Sequence, residues 1–346
     1  MTNIKERPKW TEERLDQLLT EPDNGLIKDL QTIDGDIMLI GAGGKMGSTL
    51  SIMARRALDM VGDKRKVIAV SRFTDPAKSK ILTDNGVEII SCDLLDFGAV
   101  DSLPKSPNVI FMAGRKFGTT GQEAATWAMN AMVPSLVARH FRDSRIVVFS
   151  SGNIYPLVKA STGGCDESVA PVPIGEYAMS TLARERVFEH AAKEWGTKVL
   201  MYRLNFAVDL RYGVLNDIAQ QILAEQPIEL GVPAFNVIWQ GYASSVALRS
   251  LLLADSPAKV LNVTGSETVS VRYAAKMLAK HLSREVSFVG TEDELGFLSN
   301  SAQCYELFGP SPVGISQLIR WQAEWLMDGG RSLGLPTHFE QSGGKF

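Results

Sequence analysis

Residues 37–47 read IMLIGAGGKMG. An apolar run, Ile37 to Ile40, leads straight into Gly41, Gly44 and Gly47. The run predicts a short buried strand. The glycines let the backbone turn tightly, approach a ligand with no Cβ in the way, and pack the next helix on the sheet. That helix is expected to start near Gly47 and run through STLSIMARRALDMV, its N-terminal N–H groups facing a diphosphate. Glycines that follow a strand and precede a helix are the context of a dinucleotide-binding turn. A Gly-rich strand–helix turn without a ligand is the plain alternative.

The chain has 346 residues, enough for one large or two fused domains. Its 45% hydrophobic content supports a sizeable core, and a net charge of −3 gives no nucleic-acid footprint. No apolar run reaches membrane-span length, and the charged start MTNIKERPKWTEERLDQLL lacks an apolar signal core. Cys92, Cys165 and Cys304 are far apart, without metal-ligand spacing, which suggests free thiols in a reducing compartment. The expectation is a soluble cytoplasmic protein with a small-molecule substrate, no metal site, and no nucleic-acid or membrane partner.

Residues 1–35 read as an N-terminal helical extension. Thr11 caps it, Leu15, Leu18 and Leu19 form its apolar stripe, and Pro22, Asn24 and Gly25 end it. It docks on the main domain or on a partner subunit. Strands then alternate with helices: 67–73, 87–96, 108–114, 145–153 and 198–205 as strands, with helices at 77–85, 122–141 and 177–195. Such near-continuous apolar strands predict a doubly wound parallel sheet, Rossmann-like, over 36–208. After Asn205 the rhythm breaks. Residues 209–328 read as a smaller α/β substrate lobe with some elements returning to the main sheet. The Gly-rich tail 329–346 is expected to be extended, and to cross to a neighbour.

Here the motifs resemble the extended short-chain dehydrogenase/reductases, the NAD(P)-dependent epimerase/dehydratase group. Gly41, Gly44 and Gly47 fit its Gly-x-x-Gly-x-x-Gly spacing. Asp93 and Leu94 end the third strand, where the family places an Asp that bonds the adenine. VFSSGNIYP matches the fifth-strand pattern and puts the catalytic Ser or Thr role on Ser151. Tyr177, in EYAMST, falls where the family's Tyr-x-x-x-Lys begins, and Asn130 fits a proton-relay position. The similarity covers about residues 36–300. It implies further cofactor contacts from Lys45, Met46, Ala113 and Gly114.

One departure stands out. The family's Lys, four residues after the Tyr, is Thr181 here, on the same helix face. In the family that Lys holds the nicotinamide ribose, and its charge favours the phenolate. Thr181 can bond a ribose hydroxyl but supplies no charge. Arg184, Arg115 and Lys116 are the candidate replacements.

The second strand ends Ser71-Arg72, where NAD-preferring members carry an acid. A neutral and a cationic residue suit a 2′-phosphate, with Lys45 adding charge, so NADP is expected ahead of NAD. Ser151 would polarise a substrate oxygen or simply stabilise a turn. Arg203, Asn205 and Arg211 would contact substrate or form an ion pair at the domain junction. Trp239 would line the same cleft or pack.

The sequence therefore points to an NAD(P)-dependent oxidoreductase or epimerase/dehydratase acting on a sugar or sugar-acid derivative. The rival readings are a non-catalytic NAD(P)-binding sensor or scaffold, and a redox-neutral lyase or isomerase with tightly held cofactor. Trp127, Met132 and Val137 are compatible with a homodimer face and equally with packing on the sheet.

Overall fold

The computed structural model describes residues 7–116, 118, 120–341, 343 and 344. The first six residues of the N-terminal extension and Ser342, Lys345 and Phe346 of the tail lie outside them.

Seven parallel strands form the central sheet: β1 Ile37–Ile40, β2 Val67–Ser71, β3 Glu88–Ser91, β4 Asn108–Phe111, β5 Arg145–Ser151, β6 Lys198–Leu204 and β7 Lys259–Val263. Their order is β7-β6-β5-β4-β1-β2-β3. The order reverses beside β1, which places a ligand crevice at its carboxyl end. Side chains alternate between the faces, as strand geometry requires. Ile37, Leu39, Val147 and Tyr202 enter one core, and Met38, Ile40, Val148 and Met201 the other.

The N-terminal segment forms two helices, α1 Glu12–Thr20 and α2 Asn24–Leu30. The Pro22–Gly25 stretch thus starts a second helix as well as ending the first. Asp23 accepts a hydrogen bond from Leu26 N at 2.8 Å and caps it. Leu15, Leu19, Leu26 and Leu30 are fully buried in this chain's own core. Each such leucine contributes about 1.5–3 kcal/mol of transfer free energy. The extension therefore packs on its own chain.

The Gly turn leads into α3 (Gly47–Asp59), and α4 (Pro76–Asp84) and α5 (Phe97–Asp101) follow β2 and β3. The segment read as one helix over 122–141 is interrupted. Glu123–Trp127 forms α6, Ala128–Met132 is a π-helical turn, and Val133–His140 forms α7. Pro134 has no N–H to return to Asn130, four residues earlier, so the α-ladder opens there. Trp127 and Met132 stay on the surface while Val137 is buried against the sheet.

Helix α8 (Gly175–Trp195) covers β5 and β6. Beyond β6 come α9 (Val214–Leu223), α10 (Gln240–Arg249), α11 (Val271–Leu282), α12 (Ala302–Phe308) and α13 (Ile315–Met327). Their apolar faces join the same core as β1 and β6. The tail runs back over its own chain. Leu333 N donates to Arg211 O at 2.9 Å, and Thr337 N donates to Asp217 at 2.8 Å. Phe339 is buried beside Phe235. No helix among the described residues is long and apolar enough to cross a membrane.

Candidate active site

Two adjoining cavities open at the carboxyl ends of the strands and share Gly41, Gly44, Met112 and Gly114. The first, about 280 Å³, is lined by Ser71, Arg72, Asp93, Leu94 and Ala113. The second, about 320 Å³, is lined by Lys45, Met46, Lys116, Ser151, Tyr177 and Arg184, among others.

The backbone between them fits a dinucleotide. Gly41 has φ +95°, and a Cβ there would lie 2.4 Å from Ala113 N. A Cβ on Gly47 would lie 2.4 Å from Ala42 Cα, so α3 could not close on the turn. The N-cap of α3, Met46, offers no side-chain acceptor, whereas Asp23, Asp75 and Asp96 cap α2, α4 and α5. The first-turn N–H groups of α3 are thus left for an anion. Arg72 lies at the end of the first cavity, joined by Lys78, whose Nζ donates to Gly43 O at 3.1 Å.

The second cavity gathers Ser151 and Tyr177. Ser151 is nearly buried at the end of β5. Its Oγ accepts from Asn153 N at 3.1 Å and donates to Asn153 Oδ1 at 3.0 Å, which fixes the hydroxyl in the turn. Tyr177, in the first turn of α8, lines the same cavity, and the Lys116 Nζ lies 5.7 Å from its ring centroid. The π turn makes Asn130 a fully buried hub. Its Oδ1 accepts from Arg115 N at 2.8 Å and from the Arg184 guanidinium at 2.9 Å. Its Nδ2 donates to Arg115 O and to Ser180 Oγ.

Arg184 is the residue that the family pattern does not predict. It stands seven residues after Tyr177, two helical turns along one face of α8. Its side chain is buried, donating to Phe149 O at 2.7 Å as well as to Asn130. Burial pulls its guanidinium down to about 10, against the opposing influence of Tyr177 and Glu185. A Cβ at Gly114 would lie 2.5 Å from the guanidinium, so Gly114 makes room for it. Thr181, by contrast, is buried and lines neither cavity, and its Oγ1 has no hydrogen-bond partner among the described residues.

Four expected substrate contacts are engaged elsewhere. Arg203 is buried and bonds Glu185 through two nitrogens at 2.9 and 2.8 Å, with a third bond to Tyr155 Oη at 2.6 Å. Asn205 donates to Phe297 O at 3.2 Å. Arg211 pairs with Glu12 at 2.9 Å and Asp16 at 2.8 Å, tying α1 to the strand exit. Trp239 packs edge-on against Trp321, with centroids 5.5 Å apart. None of the four lines either cavity. Lys45 also departs from its expected place. It turns from the Gly loop into the second cavity, with Nζ 3.2 Å from Ala207 O and 3.7 Å from the Tyr212 ring centroid, leaving Lys78 beside Arg72. Among the groups that sequence reasoning missed, Tyr212, Leu335 and Thr337 close this second cavity.

A parallel sheet with a Gly turn at its switch point, and a Ser–Tyr pair beside it, defines a dinucleotide-dependent enzyme of the Rossmann type. The chain belongs to the NAD dependent epimerase/dehydratase family, whose model matches residues 37–229. It is accordingly an enzyme of that type with a nicotinamide dinucleotide as cofactor. No curated protein sequence matches it. Among solved structures it is similar to MoeE5 in complex with UDP-glucuronic acid and NAD, at 23% identity and TM-score 0.66, covering 85% of this chain and 100% of that one. It is also similar to the UDP-glucuronic acid 4-epimerase of Bacillus cereus in complex with NAD, at 16% identity and TM-score 0.68, covering 84% and 98%. A third is the UDP-glucose 4-epimerase of Thermotoga maritima with UDP-glucose, at 16% and 0.67, covering 85% and 99%.

Proposed function

We propose that this enzyme transfers hydride between NADP and a sugar or sugar-acid derivative, using Ser151 and Tyr177 with Arg184 as the neighbouring cation. The observation that carries the reading is the Arg184 guanidinium, buried on the Tyr177 side of α8 and bonded to Asn130 Oδ1. A fixed cation near Tyr177 stabilises negative charge that develops on a neighbouring oxygen, and Tyr177 is the group that passes the proton to and from substrate. Ser151, held by the bond from Asn153 N, turns its own hydroxyl proton from Asn153 Oδ1 to the substrate oxygen at which the Tyr177 proton moves. Asn130 orients Arg184 and joins it to Ser180 and the Arg115 backbone. The nicotinamide ring supplies the hydride chemistry when bound. The sugars named with the MoeE5 and epimerase structures support a sugar-based substrate.

Arg72 and Lys78 support the choice of NADP, since two cations on one cavity suit a 2′-phosphate. The first test is to denature purified protein, identify any released nucleotide by mass, and follow melting in added NADP or NAD. A nucleotide at a hundred times its dissociation constant adds about 2.7 kcal/mol, which the melt resolves. Binding of neither nucleotide overturns the reading. Arg72→Ala combined with Lys78→Ala is expected to remove about 1.5–3 kcal/mol of charged hydrogen bonding to NADP. Calorimetry should then show NADP binding weakened roughly 10- to 100-fold. NAD affinity should stay within about threefold, because NAD has no 2′-phosphate to lose. Equal losses for both nucleotides would place the two cations on the shared diphosphate.

A further inference from the structure

The C-terminal tail contributes a wall to the second cavity. Two of its residues, Leu335 and Thr337, line that cavity with Ser151 and Tyr177. The segment that carries them is pinned on both sides. Before it, Arg331 Nε donates to Glu12 Oε1 at 2.8 Å, Ser332 Oγ donates to Asn216 Oδ1 at 2.8 Å, and Leu333 N donates to Arg211 O at 2.9 Å. After it, Thr337 gives both its N–H and its hydroxyl to Asp217 Oδ2, at 2.8 and 2.6 Å, and Phe339 is buried beside Phe235. Further on, the backbone of Gly344 lies against Ile174 and Gly175, with no room for a Cβ on either glycine. Gly175 opens α8, just before Tyr177. The tail therefore runs from α9 across to the start of α8.

Residues 333–337 form a short arch between these pins, with Leu335 at its centre. The local sequence stiffens it. Gly334 takes φ +64°, and Pro336 fixes its own φ and biases Leu335 toward extended backbone. Leu335 is 51% exposed although the arch is bonded on either side of it. It joins neither apolar core of the described residues, so its side chain is available to a ligand in the cavity. A wall held this firmly discriminates by collision as well as by contact. Building on the sugar-directed reading above, we propose that Leu335 is a specificity-determining residue, which meets the sugar and limits how large a sugar derivative the site accepts. Asp217 and Thr337 are positioning residues that hold it there.

The test uses the full chain. Binding of NADP and NAD is scored first, and binding of neither overturns the parent reading and the inference with it. Calorimetry on the nucleotide-loaded protein then compares D-glucose and D-glucuronate with UDP-glucose and UDP-glucuronate. Leu335→Ala is expected to change the ratio of UDP-linked to free-sugar affinity at least about tenfold in favour of the larger ligand, as expected when a pocket wall loses several carbons. Leu335→Trp should move the ratio the opposite way. Nucleotide affinity should stay within about threefold in both variants, because Leu335 does not line the first cavity. Asp217→Ala should reproduce the Leu335→Ala change, while Asp217→Asn, whose amide oxygen still accepts from Thr337, should keep most of the original ratio. A purely structural role for Asp217 would lower stability without moving that ratio. Acrylamide quenching of the bound reduced nucleotide's fluorescence reads the wall with no sugar present, and it should rise in Leu335→Ala. A ratio within about twofold of the unaltered protein's in both Leu335 variants would overturn the inference and leave the parent reading intact. So would unchanged quenching in Leu335→Ala. No binding of any of the four sugars to any loaded protein would overturn the sugar-directed reading, on which the inference rests.

Discussion

Glu185→Leu is expected to cost about 3–5 kcal/mol of folding free energy, because it strands a buried guanidinium. Glu185 is fully buried on α8 and holds Arg203 through both carboxylate oxygens. It also accepts from Ser150 Oγ at 2.5 Å, while Arg203 bonds Tyr155 Oη, which in turn donates to Asn262 Oδ1 at 2.9 Å. The network thus bolts α8, β5, β6 and β7 together. Removing the carboxylate leaves Arg203 charged in a site that water reaches poorly. Removing both charges is different, since an apolar pair of similar volume is often as stable as a buried ion pair. Glu185→Leu combined with Arg203→Met should therefore be more stable than Glu185→Leu alone. Urea midpoints at an unchanged slope measure both effects. A double variant no better than the single one would mean that the charges are not coupled, and would return Arg203 to the list of candidate ligands. Nucleotide affinity, measured on the same proteins, should stay within about threefold, because neither residue lines a cavity.

The βα rhythm was readable because the strands encode it locally. Each alternates its side chains between two apolar cores, and Gly41 and Gly47 stand where a Cβ would collide with backbone. Ser151, Tyr177 and Asn130 were read from the family resemblance, and Ser151 and Tyr177 do line one cavity. What misled were side chains whose direction depends on partners far away in sequence. Arg203 does sit at a strand end, as the topology predicts, but Glu185 on α8 claims it. Arg211 is claimed by Glu12 and Asp16 of α1. Lys45 turns toward Ala207, and nothing near the Gly loop announces that. Two misses did carry local signals. Pro134 marks the break at Asn130, and Asp23 is a helix cap hidden in a stretch that also reads as a stop. The tail's Gly-rich composition suits an extended strand in solvent and one folded back over Asp217 equally well. Tertiary contacts distinguish them, from Leu333 N to Arg211 O, from Thr337 to Asp217 and from Phe339 to Phe235.

Arg184→Leu is expected to lower turnover about 10²- to 10³-fold, the usual loss when a fixed electrostatic partner of a proton-transfer site is removed. The cation is held by two acceptors from different elements, Asn130 on the π turn and Phe149 on β5. Its position is therefore set by the fold and does not depend on substrate. Leucine keeps the bulk but leaves Phe149 O without that donor and Asn130 Oδ1 with only Arg115 N. The stability cost should be about 1–3 kcal/mol, the desolvation penalty of an orphaned buried acceptor. Nucleotide binding provides the internal control, since the Gly turn and α3 are untouched. Arg184→Lys should restore a measurable part of the activity, because a cation without the planar fork still acts on charge that develops beside Tyr177. The stronger test moves the cation along α8. Thr181 lies between Tyr177 and Arg184 on the same face, and Thr181→Lys in the Arg184→Leu background puts a lysine where the family has one. Recovery of at least about tenfold over Arg184→Leu alone would show that the site needs a cation near Tyr177 and tolerates either helical turn as its source. Unchanged turnover in Arg184→Leu would transfer the role to Lys116, whose ammonium already faces the Tyr177 ring. In that case Lys116→Gln, and not Arg184→Leu, would abolish turnover on acidic and neutral substrates alike.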